Sequence, residues 1–122
     1  METKYLIIGS SHAGLSAADE IRINDPDGDL TMVSMEDCLP YSPTVLPYIV
    51  SGKVDADEIR LRDEQYFADE KISFLKGKKV VKINAQASKV TLDDGAEIGY
   101  EKILIATGAE PTLPPIPGLK ES

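Results

Sequence analysis

The stretch KYLIIGSSHAG, residues 4–14, joins an apolar run to a turn of small residues. Residues 5–8 are continuously apolar, which is the pattern of a strand in a parallel sheet with helices on both faces. The run ends at a glycine, and a helix is expected to begin at Ser11 or His12 and to continue to about Asn24. The chain therefore begins with a predicted strand, a tight turn and a helix.

The turn between strand and helix is suited to an anion. The dinucleotide fingerprint G-x-G-x-x-G maps onto Gly9, Ser11 and Gly14, with serine in place of the middle glycine. Backbone N–H groups at the start of the helix can approach a pyrophosphate, and the helix dipole favours the negative charge. A turn that serves only close packing would show the same pattern. These residues alone leave both interpretations open.

An acidic residue follows the second predicted strand, residues 30–34, which completes a β-α-β unit with a right-handed crossover. Glu36 lies 22 positions after Gly14, where dinucleotide-binding folds carry an acid that accepts hydrogen bonds from the adenosine ribose. A solvated loop carboxylate is the alternative interpretation of Glu36. Its combination with the glycine turn and the strand order favours dinucleotide binding.

The remaining pattern predicts an α/β fold: a Rossmann-like parallel sheet with helices and an inserted three-stranded antiparallel β-meander. Two short helical regions are expected at residues 45–51 and 57–71, followed by a third core strand at 72–75. The three meander strands are expected at 80–83, 89–92 and 98–100, and a final core strand at 103–106. A proline-rich exit follows.

Composition limits the classes of function. The net charge of −8 argues against nucleic-acid binding, which depends on clustered Lys and Arg. No apolar run approaches the roughly 20 residues of a membrane span, and the first residues lack an export signal, so we expect a cytoplasmic protein without membrane contact. Cys38 is the only cysteine and His12 the only histidine, so neither a disulfide nor a metal site is expected.

The whole chain resembles the N-terminal FAD-binding segment of the pyridine nucleotide-disulfide oxidoreductase family. The resemblance rests on GSSHAG at 9–14 followed by Ala17 and Ala18, on Glu36, on LPYSPTVLPYIVSG at 39–52, on the DDG turn of the meander, and on ILIATGAEP at 103–111 with PPIPG at 114–118. Residues 39–52 are similar to the branch of NAD(P)H-dependent rubredoxin and ferredoxin reductases, nitrite reductase flavin portions and related flavin subunits. The resemblance implies a partial FAD-binding domain at residues 1–112 and, at residues 113–122, a linker toward an NAD(P)H domain.

The resemblance also implies FAD as cofactor and NAD(P)H as co-substrate. The pyrophosphate would lie over residues 9–14, the adenosine ribose on Glu36 and the adenine against the backbone near Val80. Electrons would pass from NAD(P)H through FAD to an acceptor, either a small redox protein or another subunit. No residue of this chain is expected to be catalytic. The implied cofactor-binding residues are Gly9, Ser11, His12, Ala13, Gly14, Glu36, Asp37, Thr44, Val80, Ala106, Thr107 and Gly108.

The cysteine departs from the family pattern. Disulfide-reducing members carry a cysteine pair, and single-cysteine relatives carry one near Pro43 or Thr44, whereas Cys38 precedes that place. We therefore interpret Cys38 as a half-buried structural thiol, since nothing nearby in sequence supplies a positive charge to lower its pKa. For His12, two interpretations remain open: a residue beside the phosphates at the helix start, and a surface imidazole.

The length is the second departure, because family members continue into an NAD(P)H domain and then complete the FAD domain. The 122 residues are thus expected to be a truncated portion, or else a natural fragment whose missing parts lie on another chain, with truncation favoured. In either case we expect them to be inactive alone, with an exposed apolar surface that favours a homo-oligomer. Two alternatives remain: a noncatalytic dinucleotide-binding or interaction module, and NAD in place of FAD in the same cradle.

Overall fold

The sheet of this protein has six strands in the order β3-β2-β1-β6-β5-β4, in a computed structural model that describes residues 1–109 and 112–118. The strands are β1 (Glu2–Ile8), β2 (Leu30–Val33), β3 (Ile72–Leu75), β4 (Val80–Asn84), β5 (Lys89–Leu92) and β6 (Glu97–Ile105). The α-helices are α1 (His12–Asn24), α2 (Leu46–Val50) and α3 (Glu64–Asp69), and 3-10 turns lie at Pro43–Val45 and Ala56–Ile59.

β1 lies at the centre of the parallel part of the sheet. It pairs with β2 on one side and with β6 on the other, so that Ile7 stands opposite Met32 and Leu104. β3 extends this part beyond β2, while β5 and β4 continue it in antiparallel pairing beyond β6. The predicted α/β class is therefore confirmed.

Two hydrophobic cores lie on opposite faces of β1, because successive side chains of a strand point to opposite sides. Ile7 packs with Leu15 of α1 and Phe67 of α3 in the first core. Leu6 and Ile8 pack with residues of the antiparallel strands in the second core. The predicted continuous apolar run thus reflects a strand that is buried on both faces.

One prediction about the meander is wrong in detail. Residues 98–100 and 103–106 were expected to be separate strands, but they belong to the single strand β6, and Ala106 follows its end. The intervening Glu101 and Lys102 offer no turn-forming glycine or proline, and Lys102 stays in register with Tyr5. The meander therefore extends the main sheet and is not a separate insertion.

The helices follow the predictions with small shifts. α1 has the expected bounds, and α3 is capped by Asp63, whose carboxylate accepts a hydrogen bond from the backbone N–H of Tyr66 at 3.0 Å. The apolar region predicted at 45–51 forms a 3-10 turn followed by α2, with Val50 89% exposed. The predicted linker lies partly outside the described residues, at 119–122. No helix in the described ranges is long and apolar enough to cross a bilayer.

Candidate functional site

A groove of about 590 Å³ opens at the carboxyl ends of β1, β2 and β6. The strand order changes direction at β1, which continues through α1 to β2 on one side and pairs with β6 on the other, and ligands of open α/β sheets bind at such points. Seven of the predicted cofactor-binding residues line the groove, namely Gly9, Ser11, Glu36, Val80, Ala106, Thr107 and Gly108.

The turn between β1 and α1 requires both of its glycines. Gly9 has a φ of +112°, and a Cβ there would overlap the carbonyl oxygen of Ala106. A Cβ on Gly14 would in turn overlap the carbonyl oxygen of Gly9. The Gly9 N–H donates to the Val33 carbonyl at 2.8 Å, which fixes the turn beside the end of β2.

Ser11 is the N-cap residue of α1, but its hydroxyl makes no capping hydrogen bond within the described ranges. The backbone carbonyl of Ser11 accepts the first helical hydrogen bond from Leu15 at 3.0 Å. The N–H groups of the first helical turn have no intrahelical acceptors by geometry. Uncapped donors beside the groove are what an anionic ligand needs.

Glu36 lies in the loop after β2 and is held at both its backbone and its side chain. Its carbonyl accepts a hydrogen bond from the N–H of Gly77 at 3.0 Å. Its carboxylate accepts a hydrogen bond from the phenol of Tyr41 at 2.9 Å and lies 3.8 Å from the thiol of Cys38. The exposed carboxylate thus faces the groove in a defined position.

Ser34 connects three parts of the groove wall. It is 4% exposed, and its backbone N–H donates to the Leu75 carbonyl at 2.9 Å. Its own carbonyl accepts a hydrogen bond from the backbone N–H of Lys78 at 2.9 Å. The hydroxyl of Ser10 donates to the Ser34 hydroxyl at 3.1 Å. The glycine turn, the end of β2 and the turn before β4 are therefore joined in one hydrogen-bonded unit.

Two apolar side chains, Ile83 and Ile105, also lie on the groove wall, at 41% and 57% exposure. Lys78 also lines the groove, and its ammonium pairs with Asp94 at 2.9 Å. This hydrogen bond raises the pKa of Lys78 and lowers the pKa of Asp94. Asp94 thus offsets the charge of Lys78, and the apolar side chains of the wall offer packing surface to an uncharged ring system.

Five predicted residues do not line the groove. His12 and Ala13 are exposed on the first turn of α1, and Gly14 is buried beneath the glycine turn. Asp37 lines a second, open pocket of about 830 Å³, and the Thr44 hydroxyl is 2.9 Å from the hydroxyl of Ser42. Cofactor binding by these five residues stays a prediction, and both interpretations of His12 remain.

Cys38 is exposed, not half-buried as expected. The loop after β2 turns its side chain outward toward the second pocket. Partial desolvation and the neighbouring Glu36 carboxylate raise the pKa of the thiol, so it stays protonated at neutral pH. Across residues 1–109 and 112–118, no group of three or more acidic, histidine or cysteine side chains is arranged to hold a metal ion.

Sequence reasoning missed several residues that line the groove: Ser10, Ser34, Tyr41, Lys78, Lys79, Ile83 and Ile105. The position of Ser34 beside the groove could have been predicted, since it is the first polar residue after a buried strand at the carboxyl edge of the sheet. The position of Tyr41 could not, because it depends on contacts with a distant part of the chain.

Comparison with known proteins agrees with this geometry. NADH-dependent phenylglyoxylate dehydrogenase subunit epsilon from Aromatoleum evansii is 49% identical over 96% of this chain and 28% of its own length. Rhodocoxin reductase from Rhodococcus erythropolis is 38% identical over 93% of this chain and 27% of its own length. The structure of NADH:rubredoxin oxidoreductase from Clostridium acetobutylicum matches with a TM-score of 0.88 and 30% identity, over 96% of this chain and 30% of that one.

The chain thus spans less than a third of the length of these relatives. A family model described as pyridine nucleotide-disulphide oxidoreductase matches residues 3–122, nearly the whole sequence. By this match, the chain belongs to the pyridine nucleotide-disulphide oxidoreductase family.

Proposed function

We propose that this chain forms the adenosine and pyrophosphate half of an FAD site in an NAD(P)H-dependent flavoprotein oxidoreductase. One observation carries the proposal: the glycine turn and Glu36 line the same groove at the carboxyl ends of β1, β2 and β6. Its volume of about 590 Å³ lies within the ordinary range of cofactor sites, roughly 300–1,000 Å³.

The pyrophosphate would bind at the glycine turn. Gly9 and Gly14 bring the main chain close, and the N–H groups of His12 and Ala13 would supply donors, together with the field of the helix, where the pyrophosphate extends from the groove to the start of α1. The hydroxyl of Ser11, which makes no capping hydrogen bond within the described residues, would add one more donor.

The adenosine would bind beside Glu36 and Val80, which line the same groove. The Glu36 carboxylate accepts hydrogen bonds from the ribose hydroxyls, and the apolar wall near Val80 packs against the adenine. Thr107 and Gly108 would lie beside the cofactor after β6. Asp37 and Thr44 would contact only a cofactor that extends past the groove.

The bound flavin would supply the redox chemistry, by accepting hydride from NAD(P)H and releasing electrons to an acceptor. This chain binds and orients the cofactor. The names of the relatives, a rhodocoxin reductase and a dehydrogenase subunit, support a small redox protein or a partner subunit as the acceptor. We further propose that residues 1–112 form the FAD-binding segment and that residues 113–122 form a linker. We also propose that the protein works in the cytoplasm, where free thiols such as Cys38 stay reduced.

An NMR titration of the 122-residue chain tests the cofactor assignment. Because this chain would hold only part of FAD, we expect weak binding, which amide chemical shifts can detect. FAD and ADP should move the amide resonances of Gly9, Ser11 and Glu36, whereas FMN, which lacks the adenosine, should leave Glu36 unmoved. Unmoved resonances at saturating FAD, or tighter binding of NAD than of FAD, would contradict the proposal.

A further inference from the structure

Tyr41 is held rigidly beside the groove by contacts with a distant segment. It forms an antiparallel bridge with Arg60, and its two chain neighbours make backbone hydrogen bonds, Ser42 N–H to the Ile59 carbonyl at 3.0 Å and Leu61 N–H to the Pro40 carbonyl at 2.7 Å. Its half-buried ring lines the groove. The phenol oxygen therefore has a fixed location.

That phenol donates a hydrogen bond to one oxygen of the Glu36 carboxylate, at 2.9 Å. An exposed glutamate normally samples several rotamers, and fixing it on binding a ligand costs conformational entropy. With the Gly77 N–H holding the Glu36 carbonyl at 3.0 Å and Tyr41 holding the carboxylate, the side chain has already lost much of that freedom.

The carboxylate retains hydrogen-bonding capacity for a ligand. An ionised carboxylate offers about four acceptor sites, and Tyr41 uses one of them. The thiol of Cys38 is a weak donor at 3.8 Å from the second oxygen, and a hydroxyl group can replace it. Two neighbouring hydroxyls, as in a ribose, can therefore bind while Tyr41 stays in place.

We propose that Tyr41 is a positioning residue that presents the Glu36 carboxylate to the 2′,3′-diol of a ribose in the groove. The inference rests on the proposed function, since it assumes a ligand that contains adenosine. The hydrogen bond to Glu36 and partial desolvation raise the pKa of Tyr41. The phenol thus remains a donor throughout the physiological pH range.

The test compares ADP with 2′,3′-dideoxy-ADP, which lacks the diol, by NMR titration of wild type, Tyr41→Phe and Tyr48→Phe. Tyr48 is a matched control: it belongs to the same segment, lies outside the described lining of the groove, and its ring lies below the Lys53 ammonium at 5.7 Å. Tyr41→Phe should weaken ADP binding roughly three- to tenfold, as expected for the loss of one hydrogen bond. It should leave dideoxy-ADP binding unchanged, and Tyr48→Phe should change neither.

A second variant, Glu36→Ala, should also lose the preference for the diol, and adding Tyr41→Phe to it should weaken ADP binding no further. Equal losses for ADP and dideoxy-ADP in Tyr41→Phe would overturn the inference, because they would indicate general loosening of the groove. Unchanged ADP binding in Tyr41→Phe would overturn the inference as well. Failure of the proposed function would be seen in the wild type, as absence of binding of both FAD and ADP, whereas failure of this inference alone would be confined to Tyr41→Phe.

Discussion

The carbonyl oxygen of Gly9 occupies the space that a side chain at Gly14 would need. The nearest atoms to a Cβ at Gly14 belong to the Gly9 backbone, with the Ile7 side chain also at 3.3 Å. Backbone atoms at the end of β1 cannot yield without moving the whole turn. The close approach of α1 to β1 therefore depends on a missing side chain.

We expect Gly14→Val to destabilise the protein by roughly 1–3 kcal/mol through overpacking. The measurement is urea unfolding followed by circular dichroism. Ala13→Val is the matched control, because it adds a β-branched residue to the same helical turn at an exposed site. If both variants unfold at the same urea concentration, the packing role of Gly14 is refuted.

Glu36→Ala should weaken the binding of adenosine-containing ligands by roughly 1.5–3 kcal/mol, the range for hydrogen bonds to a charged group. Stability should change little, since the side chain is exposed. Asp37→Ala is the control, because Asp37 is adjacent but lines the second pocket. Titration with ADP measures both. An equal loss in the two variants would assign the effect to net charge and remove the specific role of Glu36.

Local features of the sequence were enough to predict the site's central turn. The glycines, the apolar run and the start of α1 lie within a few residues of one another, so spacing alone indicates their arrangement. The continuity of β6 was not predictable in this way, because it depends on pairing with β1 at the other end of the chain. The position of Tyr41 depends in the same way on its bridge to Arg60, which no local pattern signals.

Arg22 should be important for stability although no carboxylate pairs with it within the described residues. Its guanidinium donates hydrogen bonds of 2.5 to 3.0 Å to the backbone carbonyl oxygens of Asp25, Gly28, Glu70 and Lys71. These bonds join the end of α1 to the turn before β3. Lysine cannot reproduce the planar fork, so we expect Arg22→Lys to lower the free energy of unfolding by roughly 1.5–3 kcal/mol.

The control for Arg22→Lys is Arg60→Lys, since the Arg60 guanidinium forms an exposed ion pair with Asp57 at 2.9 Å and the bridge from Arg60 to Tyr41 is made by the backbone. Such surface pairs contribute little, about 0–1 kcal/mol. Urea unfolding of the two variants gives the comparison. Equal midpoints would show that the carbonyl contacts of Arg22 do not stabilise the fold.

Acid should weaken the fold through Asp25. Its carboxylate accepts hydrogen bonds from Lys4 and from Tyr5, both at 2.7 Å, and these contacts hold the pKa of Asp25 well below its usual value. A folded-state pKa below the unfolded value stabilises the protein above the unfolded pKa, near 3.9, and this stabilisation is lost as the pH falls below it. The melting temperature should therefore decrease when the pH is lowered below about 4.

In Asp25→Asn the melting temperature should be lower at neutral pH and should fall less steeply on acidification. Asp27→Asn is the control, because Asp27 lies in the same turn and is exposed. Calorimetric scans between pH 7 and pH 2 test the prediction. Parallel pH profiles for wild type and Asp25→Asn would exclude the contribution of this carboxylate.

The pairing of β1 with β6 also determines the order in which the protein can form. Among the described strands β1 comes first along the chain and β6 comes sixth, yet they lie side by side from Glu2 opposite Gly99 to Ile8 opposite Ile105. Contacts between such distant segments form slowly, because closing the long loop costs entropy before pairing compensates for it. On the ribosome, β1 can pair with β2 early, but its other edge stays open until β6 is synthesised. During this interval an unpaired apolar edge is exposed to other chains, so the nascent protein should be prone to aggregation, and dependent on chaperones, until β6 appears.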